Sequence, residues 1–199
     1  IDTAIDRAKE AGVWGLDTKL KPGNKKPEEL GKDTYESRIT FQQGDMRELP
    51  FEDEFHVVLN LFTAMGYFAT IADDEKFFAG VYRALKPGGT FMVDYLNRDR
   101  IIRQFRNNDW RELPDGSKVL TKRGYDIITG QMHDERVTLE NGKEVRRVRS
   151  SVRFYAPHEL IAMAVRIGFK FYRAYGDFDT DCALTMDSRR AILVFRKPS

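Results

Sequence analysis

Residues 57 to 95 alternate in a way that few folds accommodate. Val57-Val58-Leu59-Asn60-Leu61-Phe62 is a nearly unbroken apolar run, the pattern of a strand buried on both faces of a parallel sheet. Asp73-Asp74 then offers an N-cap and an acidic first turn. Phe77, Phe78, Val81 and Leu85 follow at helical spacing, and Lys86-Pro87-Gly88-Gly89 ends the helix. Thr90-Phe91-Met92-Val93-Asp94-Tyr95 is a second strand. Strand, helix and strand at this spacing form a βαβ unit, which calls for a parallel sheet with a right-handed crossover.

The flanks extend this unit. Ile1, Ala4, Ile5 and Ala8 share one helical face, with Gly12 as a stop, so the chain opens inside an amphipathic helix and reads as the remainder of something longer. Residues 14–37, rich in Lys, Pro, Gly and Glu, read as a surface loop, and Ile39-Thr40-Phe41-Gln42-Gln43 as a short strand ending at Gly44-Asp45. Between about 110 and 155 come three hairpin signals, Asp115-Gly116, Thr129-Gly130 and Asn141-Gly142. In the last of these strands Val148, Val152 and Phe154 share one face, while Arg147, Arg149 and Arg153 share the other. The α/β pattern returns with Pro157 at N1 of a helix whose buried side is Leu160, Ile161, Ala164 and Val165, with Gly168 as its cap. Residues 169–175 and 191–195 close the sheet. The fold class expected is α/β: a core over 1–98 and 156–199, with an antiparallel β-meander inserted at 99–155.

Composition sets outer limits. Thirty-three basic and 31 acidic side chains leave a net charge of +2, which gives no general reason to expect nucleic acid as a partner. No apolar run approaches the ~20 residues that span a bilayer, so a membrane is not expected and the cytoplasm is. The single cysteine, Cys182, excludes an internal disulfide and a multi-cysteine zinc site, and no metal is expected. Oligomeric state is not legible.

Gly44-Asp45-Met46-Arg47-Glu48-Leu49-Pro50-Phe51, the 57–62 strand and Ala84-Leu85-Lys86-Pro87-Gly88-Gly89, in that order, resemble the class I S-adenosylmethionine-dependent methyltransferases. Phe154-Tyr155-Ala156-Pro157-His158-Glu159-Leu160 through to Tyr175-Gly176-Asp177-Phe178 is similar to their small-molecule subgroup, which includes N-methyltransferases of glycine and of amino sugars. The resemblance implies a Rossmann-like core, here with its first strands missing, a seven-stranded sheet whose last strand runs antiparallel, and S-adenosylmethionine bound along the carboxyl ends of the first strands. Open α/β sheets bind ligands at that end on general grounds. It further implies that Asp45 accepts a hydrogen bond from the adenine amino group, with the Met46 backbone beside the ring. Asn60, Leu61 and Phe62 would then hold the methionine end through backbone carbonyls. Without the family, Gly44-Asp45 is equally an ordinary turn. The family's glycine-rich loop and its ribose-binding carboxylate have no match here, and both are expected ahead of Ile1. The strand at 57–62 would then lack its central neighbour and present an open edge.

Methyl transfer from a sulfonium is an in-line displacement in which alignment and desolvation supply most of the acceleration, so no catalytic triad is required and no catalytic residue is assigned. His133 and His158 are candidate bases, with a surface role the commoner expectation. Tyr67 either lines a small-molecule acceptor pocket or packs as a core aromatic. Arg153, with Arg147 and Arg149, either meets an anionic acceptor or forms a solvated face. Tyr155, with Trp110 and Phe178, either cages an amine or packs. The expected activity is methyl transfer to nitrogen or oxygen of a small molecule. The alternative is a non-catalytic methyltransferase-like remnant or interaction domain.

Overall fold

The structure, a computed structural model, describes residues 42–179 and 182–199. The chain divides into two compact units, Ile1–Gly44 and Asp45–Ser199. Of the first unit only residues 42–44 are described, and they carry no regular structure. The expected N-terminal helix, the loop at 14–37 and most of the strand at 39–43 lie outside the described residues.

The second unit opens with a 3-10 turn, Met46–Glu48. Strand β1 (Phe55–Asn60), helix α1 (Ile71–Ala84) and strand β2 (Leu85–Leu96) realise the expected βαβ unit, and β1 pairs with β2 in parallel. After a short helix α2 (Arg98–Arg103), which the sequence reading did not anticipate, come four antiparallel strands: β3 (Asn108–Glu112), β4 (Lys118–Asp126), β5 (Gln131–Glu140) and β6 (Lys143–Arg153). Helix α3 (Pro157–Ile167), β7 (Lys170–Tyr175) and β8 (Arg190–Arg196) complete the chain. The strands form two sheets, β1-β2-β8-β7 and β3-β4-β5-β6. In the first sheet β8 runs antiparallel to both of its neighbours, as the family resemblance implied. Four strands of that sheet are seen among the described residues.

The core follows from register. Val58 and Asn60 of β1 align with Phe91 and Val93 of β2, which align with Phe195 and Leu193 of β8, so these side chains share one face. Phe77, Phe78 and Val81 of α1 and Leu160, Met163 and Ala164 of α3 pack on that face in a single buried cluster. Phe78 and Phe91 meet edge-on at 5.3 Å between centroids, and Phe91 and Phe169 lie 5.6 Å apart. Aromatic pairs in these geometries add to the stabilisation that burial alone supplies.

Three local expectations are corrected. The run at 57–62 is buried on one face only: Val57 is 55 % and Leu59 53 % exposed. Both α1 and α3 lie on the opposite face, and β1 is an edge strand among the described residues. The cap of α1 is Thr70, whose hydroxyl accepts from the Asp73 amide at 3.2 Å and donates to the Asp73 carboxylate at 2.8 Å. Asp73 and Asp74 therefore stand inside the first turn. In α3, Met163 is buried while Val165 is 51 % exposed, so the apolar stripe runs Leu160, Met163, Ala164.

The meander matches its turn signals. Gly116 and Gly130 have φ of +82° and +70°, and Asn141-Gly142 has +50° and +78°. Two successive positive values suit the right-handed twist of the strands they join.

Candidate functional site

Parallel pairing brings the carboxyl ends of β1 and β2 to one side of the sheet, where side chains of both strands converge. Asn60, the last residue of β1, is 5 % exposed, and its Oδ1 is buried with no hydrogen-bond partner. A buried amide oxygen left unpaired costs about 1–3 kcal/mol. The arrangement leaves an acceptor where a ligand N–H or O–H would satisfy it.

The chain then turns through Phe62 and Thr63, both at φ +58°. Left-handed conformation in two successive non-glycine residues costs of order 1–3 kcal/mol each and persists only where surroundings impose it. Asp94, wholly buried near the end of β2, supplies the constraint. Its carboxylate accepts from the Phe62 amide at 2.8 Å and its carbonyl from the Thr63 amide at 3.1 Å. Arg190 of β8 pairs with the Asp94 carboxylate and reaches Thr63 Oγ1 at 3.3 Å, while the Leu96 amide donates to the same hydroxyl at 3.0 Å. The large side chains this loop leaves in the open are Phe62, 78 % exposed, and Tyr67, 55 % exposed; Met65 between them is fully buried.

Gly66 is the loop's second fixed point. Its φ is +91°, and a Cβ there would lie 2.6 Å from the Arg153 carbonyl and 2.7 Å from the Tyr95 hydroxyl. Its amide donates to Asp74 Oδ1 at 3.0 Å, and its carbonyl accepts from the Arg153 amide at 2.7 Å. The Tyr155 hydroxyl donates to Asp74 Oδ2 at 2.7 Å, and the Tyr95 hydroxyl donates to the Arg153 carbonyl. Burial pushes the Asp74 carboxyl above its ordinary value against these donors, and pushes the Tyr155 hydroxyl up as well.

Asp45 is tied through Arg47 to Phe68, next to the same loop, and to the first turn of α1. The guanidinium grips the Asp45 carboxylate at 2.6 Å, approaches Asp73 at 3.8 Å and lies over the Phe68 ring at 4.9 Å. Arg47's side-chain and backbone donors hold the Asp45 carboxyl at about 2, so this half-exposed group is an ionised acceptor at neutral pH. Met46 packs against the core.

The residues expected at the acceptor separate. Tyr155 is 4 % exposed and its hydroxyl is committed to Asp74, a packed and bonded position. Arg153 sits beside Gly66; one guanidinium nitrogen donates to the Thr129 carbonyl and its buried Nε has no partner. Arg149 and Arg147 lie four and six residues back along β6, so the nearer is about 13 Å from Arg153, and both are paired with Glu135 at 2.8 Å. His133 lines an open hollow of about 530 Å³ on the meander, together with Lys122, Gly124, Glu135 and Arg149. Trp110, 60 % exposed, belongs to an adjoining hollow of about 350 Å³.

Asp74, Asp94, Arg190 and Tyr95 are not among the site residues expected from sequence, where Asp74 figures only at the start of a helix. Asp94 had a signal: a charged residue inside an apolar strand needs a buried partner. Asp74 had none, since an aspartate in a first helical turn reads equally well as a dipole-compensating surface group. Among the described residues no cluster of three or more His, Cys, Asp or Glu could hold a metal ion, and no helix is long and apolar enough to cross a membrane.

Residues 3–89 match a sequence family described as a methyltransferase domain. The chain is 34 % identical over 77 residues to a ubiquinone/menaquinone biosynthesis C-methyltransferase of Psychromonas ingrahamii, a match covering 39 % of this chain and 28 % of that protein. Among solved structures it is similar to the CcbJ methyltransferase of Streptomyces caelestis, with a TM-score of 0.70 and 24 % identity over 78 % of this chain and 62 % of that one. It is also similar to the S-adenosylmethionine-bound amino pentose methyltransferase of Micromonospora echinaspora, with a TM-score of 0.56 and 19 % identity over 77 % and 63 % of the two chains. The chain thus spans under two thirds of each of these relatives.

Proposed function

From the premise that the chain has the class I S-adenosylmethionine-dependent methyltransferase fold, we propose that it belongs to an enzyme that methylates a small-molecule acceptor with S-adenosylmethionine. The observation that carries this reading is the unpaired, buried Asn60 Oδ1 at the carboxyl end of a parallel strand. In this reading it accepts from the amino group of the cofactor's methionine end, beside the backbone carbonyls of Leu61 and Phe62. The ionised Asp45 carboxylate accepts from the adenine amino group, next to the Met46 backbone. The described residues contain no glycine-rich turn after a strand and no assigned carboxylate for the ribose.

When bound, the sulfonium supplies an electrophilic methyl group. The chain's part is to hold the acceptor in line and exclude water. The constrained loop from Phe62 to Tyr67 faces that step, with Tyr67 and Arg153 on the acceptor side and Tyr155 holding the wall behind them. In this reading the acceptor side is the inserted segment 99–155, carried on a core of 1–98 and 156–199. The atom methylated in this reading is a nitrogen or an oxygen of that small molecule.

The test is calorimetric titration of S-adenosylhomocysteine into the product of the complete reading frame and into its Asn60→Leu variant. The expected result is binding that weakens tenfold or more in the variant, about 1.4 kcal/mol. Absence of binding by the parent protein would leave the non-catalytic scaffold reading. Equal binding by both proteins would remove Asn60 from the site.

A further inference from the structure

We propose that Asp74 is a positioning residue that clamps the loop at Gly66 to the end of the inserted sheet, so that the two open and close as one piece. That this loop faces methyl transfer rests on the function proposed above; the clamp itself does not.

The clamp has parts from three elements. Asp74, in the first turn of α1, is wholly buried, and each carboxylate oxygen has its own donor: the Gly66 amide at 3.0 Å and the Tyr155 hydroxyl at 2.7 Å. No Lys, Arg or His nitrogen of the described residues lies within 4.0 Å of it. A buried carboxylate with no cation beside it is an expensive way to satisfy one amide and one phenol. Its distinctive property is that it joins them. Gly66 closes the circuit from the other side, because its carbonyl takes the Arg153 amide at 2.7 Å. The Tyr95 hydroxyl donates to the Arg153 carbonyl, and the Tyr95 and Tyr155 rings pack at 6.5 Å. A Cβ at Gly66 would lie 2.6 Å from the Arg153 carbonyl, so the loop and the end of β6 meet in close backbone contact.

This tie lies where β6 leaves the meander and enters α3, two residues from Arg153 and one from Tyr67. A displacement of the inserted sheet is therefore passed to the backbone under Tyr67 through a wholly buried carboxylate whose two oxygens are bonded within the protein. Asp74 acts through Gly66 and Tyr155.

Hydrogen exchange on the full chain without ligand tests the clamp independently of cofactor binding. In Asp74→Ala the Gly66 and Arg153 amides should exchange at least tenfold faster than in the parent, with Val81 in the middle of α1 unchanged. In Asp74→Asn, which can still accept from Gly66 and donate to the Tyr155 oxygen, protection should return to within about threefold of the parent. Tyr155→Phe removes one bond without a cavity, and should accelerate Gly66 and Arg153 together by a smaller factor; it carries the test if Asp74→Ala does not fold. The proposal is overturned if Gly66 and Arg153 keep their protection in these variants. It is equally overturned if they lose it only in step with Val81, which would make Asp74 a contributor to general stability. S-adenosylhomocysteine titration of the same samples reports separately on the proposed function.

Discussion

Gly66 shows how little freedom one residue has at this site. Its φ of +91° costs an L side chain about 1–2 kcal/mol, and a methyl group would also displace the Arg153 carbonyl or the Tyr95 hydroxyl, at a further 1–3 kcal/mol or so. Gly66→Ala is expected to lower unfolding free energy by about 2–5 kcal/mol; a urea midpoint equal to the parent's would show that the loop can shift to make room. Asp74 yields a prediction in pH. Burial raises its folded carboxyl above the ordinary 3.8, so between 3.8 and that raised value the native chain binds more protons than the unfolded one. The opposing donors are the Tyr155 hydroxyl and the Gly66 amide; Arg153 lies on the favourable side and Asp73 on the unfavourable one. Stability linked to this group is therefore complete below pH 3.8 and is lost as pH rises through the raised value. Parent stability minus that of Asp74→Asn should decline between pH 3 and pH 7 in urea titrations. A difference that grows with pH would mean that the carboxylate is stabilised where it lies.

Elements differ in how openly the sequence announces them, and the difference is one of range. The hairpins at Asp115-Gly116, Thr129-Gly130 and Asn141-Gly142 were legible because a turn is decided by the φ of one or two residues. The cap of α1 was legible too, as Thr70-x-x-Asp73, but the adjoining aspartates drew the assignment three residues late. Burial of β1 was misjudged because an apolar run reports what a strand can bury, not which layers lie against it; Val57 and Leu59 face away from both packed helices. The charge of Asp94 inside an apolar strand announced a buried partner, but that this is Arg190 was out of reach, since the pair joins residues 96 positions apart. That pair ties β2 to β8 and restrains Phe62 and Thr63, with the Asp94 side chain fully buried and that of Arg190 19 % exposed. Arg190→Ala should therefore cost about 3–5 kcal/mol by leaving the carboxylate uncompensated. The double variant Asp94→Asn, Arg190→Met should recover part of that loss, and a thermodynamic cycle in urea measures the coupling. Independent, additive losses would mean that the two groups do not act as a pair.

Across Asp45–Ser199, burial is divided unevenly between the two sheets. The buried apolar cluster draws on β2, β8, α1 and α3, and contains no residue from β3 to β6. Within the meander strands, Val119 and Met132 are the buried apolar side chains, while Leu120, Val145 and Val148 are at least 40 % exposed. The α/β class and the meander could be read from sequence, because both rest on periodicity and turn residues. The candidate site was legible only in outline: parallel strand ends set where it is expected, whereas the carboxylates that shape the loop depend on packing that brings distant segments together. This asymmetry has a thermodynamic consequence. A sheet with few buried contacts opens at lower cost than the core, even with a complete hydrogen-bond ladder. Native-state hydrogen exchange in rising urea should give β4 and β5 opening free energies about 2 kcal/mol or more below those of β2 and β8. The Arg153 amide should follow the core, because Gly66, Tyr95 and the Asp74–Tyr155 tie hold that end of β6 from the core side. A single opening free energy for both sheets would contradict this division and make the unit fully cooperative. A low value for Arg153, equal to that of β4, would place the boundary between the two stabilities on the core side of the clamp.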